Sequence, residues 1–208
     1  MADLQPLKPD VVLLQEAPSR EALARMTTGL FGEQGAFVAT GDVAILTRGT
    51  IGEPFGERGG DYIGANVRLH AGCEVQCISL RLAPPPPRFD PWSWQFWTEH
   101  RHLRETHRRQ LGQLQQALAN GESHSAVILG GDFNTTPLDA ALSQLKPEFA
   151  DAFSRRGVGW GATGTNDWPL FRVDQIWTNL NCQPMQVSAI KTARSDHRLV
   201  VCDVEVRE

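Results

Sequence analysis

A chain of 208 residues with 41% hydrophobic content has enough apolar side chains for a substantial core, and one domain over residues 1–208 is expected. Its formal net charge of −4 excludes a globally basic surface of the kind that advertises nucleic acid. No apolar run approaches membrane-spanning length or reads as a signal peptide. Cys73, Cys77, Cys182 and Cys202 lack the second close Cys or His pair of a zinc site, so reduced thiols and a cytoplasmic location are expected.

In chain order, the run VVLLQE at 11–16 predicts a strand buried on both faces and ending in a carboxylate. Ser19 is placed to cap a short helix with Leu23, Met26 and Leu30 on one side. Strands are predicted over 43–48, 62–69 and 74–82, the last stopped by Pro84 to Pro87, which lack ladder donors. The aromatic stretch RFDPWSWQFW at 88–97 leads into a polar helix predicted over 98–120 and closed by Gly121, with Leu103, Leu111, Leu114 and Leu118 as its buried stripe.

The apolar run 126–129 predicts another strand, followed by GGDFNTTP at 130–137. Side chains two apart on an extended chain point the same way, so Asp132 and Asn134 are expected to converge on one ligand. Thr136 as N-cap, Pro137 at the first helical position and Asp139 in the first turn predict a helix, with Leu138, Ala141, Leu142 and Leu145 on one face. A Gly/Trp-rich loop over 157–169, a strand over 171–178 and a final strand over 199–206 complete the chain. Strands in runs with helices between some of them predict stacked sheets flanked by helices. The two Trp-containing loops exceed the usual connection length and are functional candidates.

Four strand termini carry polar signatures: Gln15-Glu16, Asp132-Phe133-Asn134, Arg172-Val173-Asp174-Gln175 and Ser195-Asp196-His197. Each alone is as readily a turn former, a solvated strand end or a paired core carboxylate. Together they supply four carboxylates, a carboxamide and an imidazole. Hard oxygen ligands without clustered cysteine suit Mg²⁺ or Mn²⁺ rather than zinc. An Asp-His step beside such an ion offers a base or an electrostatic stabiliser.

PDVVLLQE at 9–16, VAILTR at 43–48, GGDFNTTP at 130–137, FRVDQIW at 171–177 and SDHRLVV at 195–201 resemble the endonuclease/exonuclease/phosphatase superfamily, in its order and over nearly the whole chain. DNase I-like nucleases, abasic-site endonucleases, inositol polyphosphate phosphatases and neutral sphingomyelinases share that fold. The resemblance implies an α+β fold: a four-layer α/β/β/α sandwich of two mostly antiparallel sheets packed face to face and flanked by helices. It also implies a hydrolase of phosphoric esters dependent on Mg²⁺ or Mn²⁺. Glu16 would hold the metal, with Asp196 beside it. Asp132 would orient or activate the attacking water, and Asn134 would donate to the phosphate. Asp174 would hold and polarise His197, which would contact the phosphate as base or as stabiliser of developing charge.

The chain departs from that pattern twice. Family members have a strand ending in asparagine before the PDVVLLQE segment, inside one sheet, whereas Met1 to Lys8 contain neither. A chain truncated at its N-terminus, or another segment in that strand's place, is expected. Many relatives also place a histidine where Arg81 ends the 74–82 strand; Arg81 would meet phosphate charge or pack its stem on the sheet.

For the substrate, Trp92, Trp94 and Trp97 precede a helix bearing Arg101, Arg104, Arg108 and Arg109, while Trp160 and Trp168 flank the approach to Arg172 and Asp174. Trp92, Trp94, Trp168, Arg81 and Arg172 are the expected substrate contacts. Three uses of the aromatic and basic segment stay open: a base-stacking platform, a loop for a lipid headgroup or membrane surface, or tryptophans closing the sandwich edge beside solvated arginines. The expected partner is a phosphodiester, such as nucleic acid, with no stable membrane insertion and no obligate protein partner. A lipid or inositol phosphatase and a non-catalytic phosphate-binding module are the alternatives.

Overall fold

The computed structural model describes residues 2–56, 59–69, 72–87, 90–119 and 126–207. The apolar run after Asp10 is strand β1 (Val11–Gln15). Ser19 accepts the Ala22 N–H and starts helix α1 (Arg20–Phe31), which buries Leu23, Thr27 and Phe31 at helical spacing. Strands β2 (Gly35–Thr40), β3 (Val43–Ile51), β4 (Tyr62–Leu69) and β5 (Glu74–Arg81) follow. Helix α2 (Trp94–Ala119) leads to β6 (Ala126–Asp132). The remaining elements are β7 (Ala150–Asp151), α3 (Ala152–Arg156), β8 (Asp174–Thr178), β9 (Cys182–Ile190) and β10 (Leu199–Val206).

Strand β3 belongs to two layers. Residues 43–48 lie between β1 and β2, both antiparallel to β3, and Gly49 to Ile51 turn away to pair with β4. The sheet then continues β4-β5-β6-β8-β7, with only β5 and β6 parallel. Strands β9 and β10 form a separate antiparallel pair. Gly49 makes the change of layer possible, since a Cβ there would lie 2.2 Å from the Arg68 carbonyl oxygen.

Three apolar clusters separate four layers. Leu111 and Leu114 of α2 pack on Ile78, Leu80, Leu129 and Trp177 of the large sheet. The opposite face of that sheet, including Ile63, Val67 and Val75, packs on Val43 and Ile45 of β3, with Val11, Leu13, Val204 and Val206 against the same cluster. Leu23 and Phe31 of α1 close the third cluster over Val12, Ala44 and Leu46. The architecture is the α/β/β/α sandwich that the family motifs imply, with a large mostly antiparallel sheet and a smaller second layer.

That second layer is broken. Among the described residues β1 forms a backbone ladder only with β3, and β10 only with β9, although both pack on one cluster. No strand precedes Val11 among them; Gln5–Leu7 form a single 3₁₀ turn. No described segment supplies the asparagine-ended strand that the resemblance places before β1.

Several boundaries differ from expectation. The helix expected from Pro137 under a Thr136 cap is a 3₁₀ helix over Ala140–Leu145, capped by Asp139, whose side chain accepts the Ala141 N–H at 2.8 Å. Thr136 instead closes a turn by accepting the Asp139 N–H, which leaves Leu138 outside the helix and exposed. The strand expected over 171–178 begins only at Asp174, because Phe171 is tied by its carbonyl to the backbone of Thr163 and Gly164. Helix α2 starts at Trp94 rather than residue 98, and its predicted closure at Gly121 lies outside the described residues. Among the described residues no helix is long and apolar enough to cross a membrane, and all four cysteines are free thiols.

Helix α2 is anchored in its middle. His107 Nε2 meets the Ala83 carbonyl at 2.8 Å, and the Ala83 N–H donates to Gln110 Oε1 at 3.2 Å, just beyond the end of β5. Residues after His107 run back over the sheet toward β6, and the buried positions of α2 begin at His107. The preceding part therefore extends about 20 Å past the ends of β5 and β6.

Candidate active site

Strands β6 and β8 run antiparallel and end their ladder with Asp132 opposite Asp174. Gly131 permits the close approach of β5 there: its φ is +155, and a Cβ would lie 1.9 Å from the Leu80 carbonyl oxygen. The segment before β10 brings in His197, whose Nδ1 lies 2.9 Å from Asp174 Oδ2. Asp132, Asp174 and His197 offer ligand atoms that all lie within 4.8 Å of one another, a donor set able to hold a metal ion.

Buried Thr163 fixes this geometry. Its hydroxyl accepts the N–H groups of Val173 and Asp174, at 3.1 and 2.9 Å, and its carbonyl accepts the Arg198 N–H. Thr192 donates to the His197 carbonyl at 3.0 Å. One loop residue thus ties the start of β8 to the residue after His197.

Asp132 and Asn134 meet in a different way from two residues on an extended strand. Asn134 adopts φ +49, and its N–H donates to Asp132 Oδ1 at 2.9 Å in an Asx-type turn. Its Nδ2 donates to the Leu82 carbonyl at 2.8 Å. The carboxylate is thereby pinned, and one of the two amide donors of Asn134 is committed to holding the turn. Gln175 holds the next residue by donating to the Thr135 carbonyl at 2.7 Å.

Burial and the nearby charge of Asp174 push the Asp132 carboxyl up to about 6, against the pull of the Asn134 N–H, His197 and Arg81. The hydrogen bond to Asp174 lifts His197 to about 9; burial opposes this, and the charges of Asp174, Asp132 and Asp196 assist it. At neutral pH His197 is therefore cationic and donates to Asp174, which fixes the ring. Since its folded pKa lies above the ordinary histidine value of 6.5, the pair's stabilisation is complete below pH 6.5 and disappears as pH rises through 9. Asp132 acts in the same sense lower down, the fold losing stability as pH rises from 3.8 through about 6. The metal-free protein is expected to lose about 2 kcal/mol between pH 6.5 and 9.5, a figure reduced for the partial exposure of His197. Denaturant midpoints measured in EDTA should show this slope, and His197→Gln should flatten it.

The other expected site residues form a second group. Arg81, level with Asp132 in the β5–β6 register, donates Nη2 to Glu16 Oε1 at 2.6 Å and Nη1 to Asp42 Oδ2 at 2.5 Å. The structure thus gives Arg81 two carboxylate partners, and Glu16 lies with it outside the Asp132–Asp174–His197 cluster. Asp196 is exposed beside His197, with its carbonyl accepting the Asn166 N–H. Arg172 spends its fork on Asp151, with two bonds of 2.6 Å, and stacks on Phe153. Its guanidinium is therefore engaged within the fold rather than open to substrate. Trp92, Trp94 and Trp168 are exposed, so the tryptophans do not close the sandwich edge. Asp42, Asp151, Thr163 and Gln175 were not among the expected site residues.

A family model described as Endonuclease/Exonuclease/phosphatase family matches residues 1–197. The endonuclease/exonuclease/phosphatase from Bacteroides vulgatus superposes with a TM-score of 0.75 at 14% identity, covering 99% of this chain and 88% of its own. The mannosyl-6-phosphatase from Bacteroides thetaiotaomicron gives 0.74 at 15% identity, covering 98% and 88%. TDP2 from D. rerio, complexed with a single strand DNA product, gives 0.70 at 16% identity, covering 99% and 89%. No curated protein matches the chain in sequence. At these identities the structural likeness is one of fold; the match along the sequence adds kinship, and the chain belongs to the Endonuclease/Exonuclease/phosphatase family.

Proposed function

We propose that this chain is a divalent-metal-dependent phosphodiesterase, of the nuclease or a related kind, that cleaves its substrate by direct attack of water. The observation that carries the proposal is the cluster of Asp132, Asp174 and His197 at one sheet edge. Two adjacent carboxylates, one of them raised by the other's charge, form a hard-oxygen set that Mg²⁺ or Mn²⁺ suits. Asp132 and Asp174 are the residues placed to share such an ion, with Glu16 and Asp196 the neighbouring carboxylates. When bound, the cation supplies charge neutralisation at the phosphate oxygens.

The chain's own groups do the rest. Asp132, pinned by the Asn134 N–H, takes a proton from the attacking water once ionised. Cationic His197, steadied by Asp174, stabilises charge that develops on the phosphate. The second amide hydrogen of Asn134 is the further donor. The TDP2 relative with its DNA product supports a phosphodiester substrate such as nucleic acid.

Hydrolysis of bis(p-nitrophenyl) phosphate tests this. With Mg²⁺ or Mn²⁺ turnover is expected; EDTA should lower it at least about a hundredfold, and added metal should restore it. Turnover indifferent to EDTA would overturn the metal dependence. No turnover from folded protein would leave a phosphate-binding module, which the break between β1 and β10 favours as the second reading.

A further inference from the structure

The N-terminal part of α2 stands beyond the ends of β5 and β6, on the side of the molecule that carries Asp132. Trp92 and Trp94, near its far end, are 92% and 79% exposed, and half-exposed Trp97 follows one turn on. Arg101, Arg104 and Arg108 continue from Trp97 along the same flank of the helix. Among the described residues these three guanidinium groups form no ion pair, and Glu105 between them is taken by His102. Trp97 and the arginines line a shallow concavity of about 240 Å³.

Leu138, six residues after Asp132, is 94% exposed, and the segment that precedes Asp174 bears Trp168 at 83% exposure and Leu170 at 74%. The segment from Thr163 to Phe171 is held there by bonds from Asn166 to Asp196 and Thr192. Large apolar side chains thus stand exposed on α2 and on the segments that adjoin Asp132 and Asp196, in a chain of net charge −4. So much apolar surface around one site marks an interaction surface.

We propose that this rim docks on a phospholipid bilayer, with the tryptophans at the acyl boundary and the arginines on lipid phosphates. Two observations favour a bilayer over a nucleic acid strand. Leu138 and Leu170 have nothing to stack on a base, whereas they gain from leaving water at a lipid surface. Aromatic and basic groups are also segregated along the arm rather than interleaved. Arg101 lies about 6 Å of helix behind Trp97, matching the step from acyl boundary to headgroup phosphate. Tryptophan is the side chain that settles at that boundary. Docking of this kind is peripheral and needs no membrane-spanning segment. The phosphodiester brought to His197 would then belong to a lipid headgroup, a corollary that rests on the phosphoesterase proposal; the docking does not.

Vesicle binding tests the surface without turnover. Co-sedimentation with POPC vesicles, and with POPC/POPG vesicles at a ratio of about 7:3, is expected, stronger with the anionic lipid. Trp92→Ser/Trp94→Ser should weaken binding to both at least about tenfold. Arg101→Gln/Arg104→Gln/Arg108→Gln should remove the preference for POPG. Thermal midpoints should match the parent, since all five side chains point to solvent. Failure of the parent to bind either vesicle, or equal binding by parent and both variants, would overturn the proposal. So would arm-dependent binding of a 15-mer single-stranded oligonucleotide without vesicle binding, which would make the arm a nucleic-acid surface.

Discussion

Asp132→Asn is expected to lower phosphodiester turnover by about three orders of magnitude while making the metal-free protein more stable above pH 6. Both effects come from one carboxylate. As base it is held by the Asn134 N–H next to His197, and an amide in its place accepts no proton. As a buried anion beside Asp174 it is pushed up to about 6, which costs the fold about 2–3 kcal/mol at pH 8. Asparagine keeps an oxygen for the Asn134 N–H and removes the charge. Turnover on bis(p-nitrophenyl) phosphate and denaturant midpoints in EDTA at pH 8 give the two readings. His197→Ala should lose turnover comparably but lose stability as well, because Asp174 is left without its cation. An Asp132→Asn protein that kept its turnover, or that lost stability, would remove Asp132 from the role assigned to it.

Asp151→Ala is expected to cost about 3–5 kcal/mol, the largest single loss of stability among the polar contacts. The Arg172 and Asp151 side chains are 16% and 8% exposed and joined by two bonds of 2.6 Å. Asp151 also accepts the Phe153 N–H and the Ser154 hydroxyl; burial pushes its carboxyl up, but the hydrogen bonds from Arg172, Ser154 and Phe153 and the Arg172 charge together hold it below the usual range. Removing it strands a guanidinium against Phe153. Arg172 immediately precedes Val173 and Asp174, so the loss should also loosen the strand start that places Asp174. Replacing both partners with apolar residues, as in Asp151→Leu/Arg172→Met, should recover most of the stability. A single variant as stable as its parent would show the pair to be incidental.

Much of the layering was legible because β1, β3 and β6 each open on an uninterrupted apolar run, the pattern of strands covered on both faces. Strand β9 was not, since Pro184 and two glutamines break its run and its partner β10 supplies the pairing. The capping of the 3₁₀ helix was misplaced because Thr136 and Asp139 both bear capping side chains, and sequence alone does not show which turn closes first. At the site, Asp132, Asn134, Asp174 and His197 stood out as polar residues at the ends of apolar runs. Asp42, Asp151 and Thr163 have no such frame. Asp42 reaches Arg81 across 39 positions and Asp151 reaches Arg172 across 21, so their roles exist only once the chain has folded. Arg81 and Glu16 were each visible, but not their pairing, nor Asp42 as the second partner.

The break between β1 and β10 bears on how the candidate site is assembled. Among the described residues the β9–β10 hairpin has no ladder to the large sheet; side chains such as Cys182, Val204 and Val206, with the Gly157–Val187 bridge, hold it in place. His197 rides at the entrance to that hairpin, whereas Asp132 and Asp174 sit on the sheet. The cluster of Asp132, Asp174 and His197 is therefore complete only in molecules whose hairpin is seated, and a local opening that breaks the bonds to Thr163 and Asn166 would withdraw the imidazole short of global unfolding. Competence is then expected to follow the seating of that hairpin as well as the stability of the large sheet.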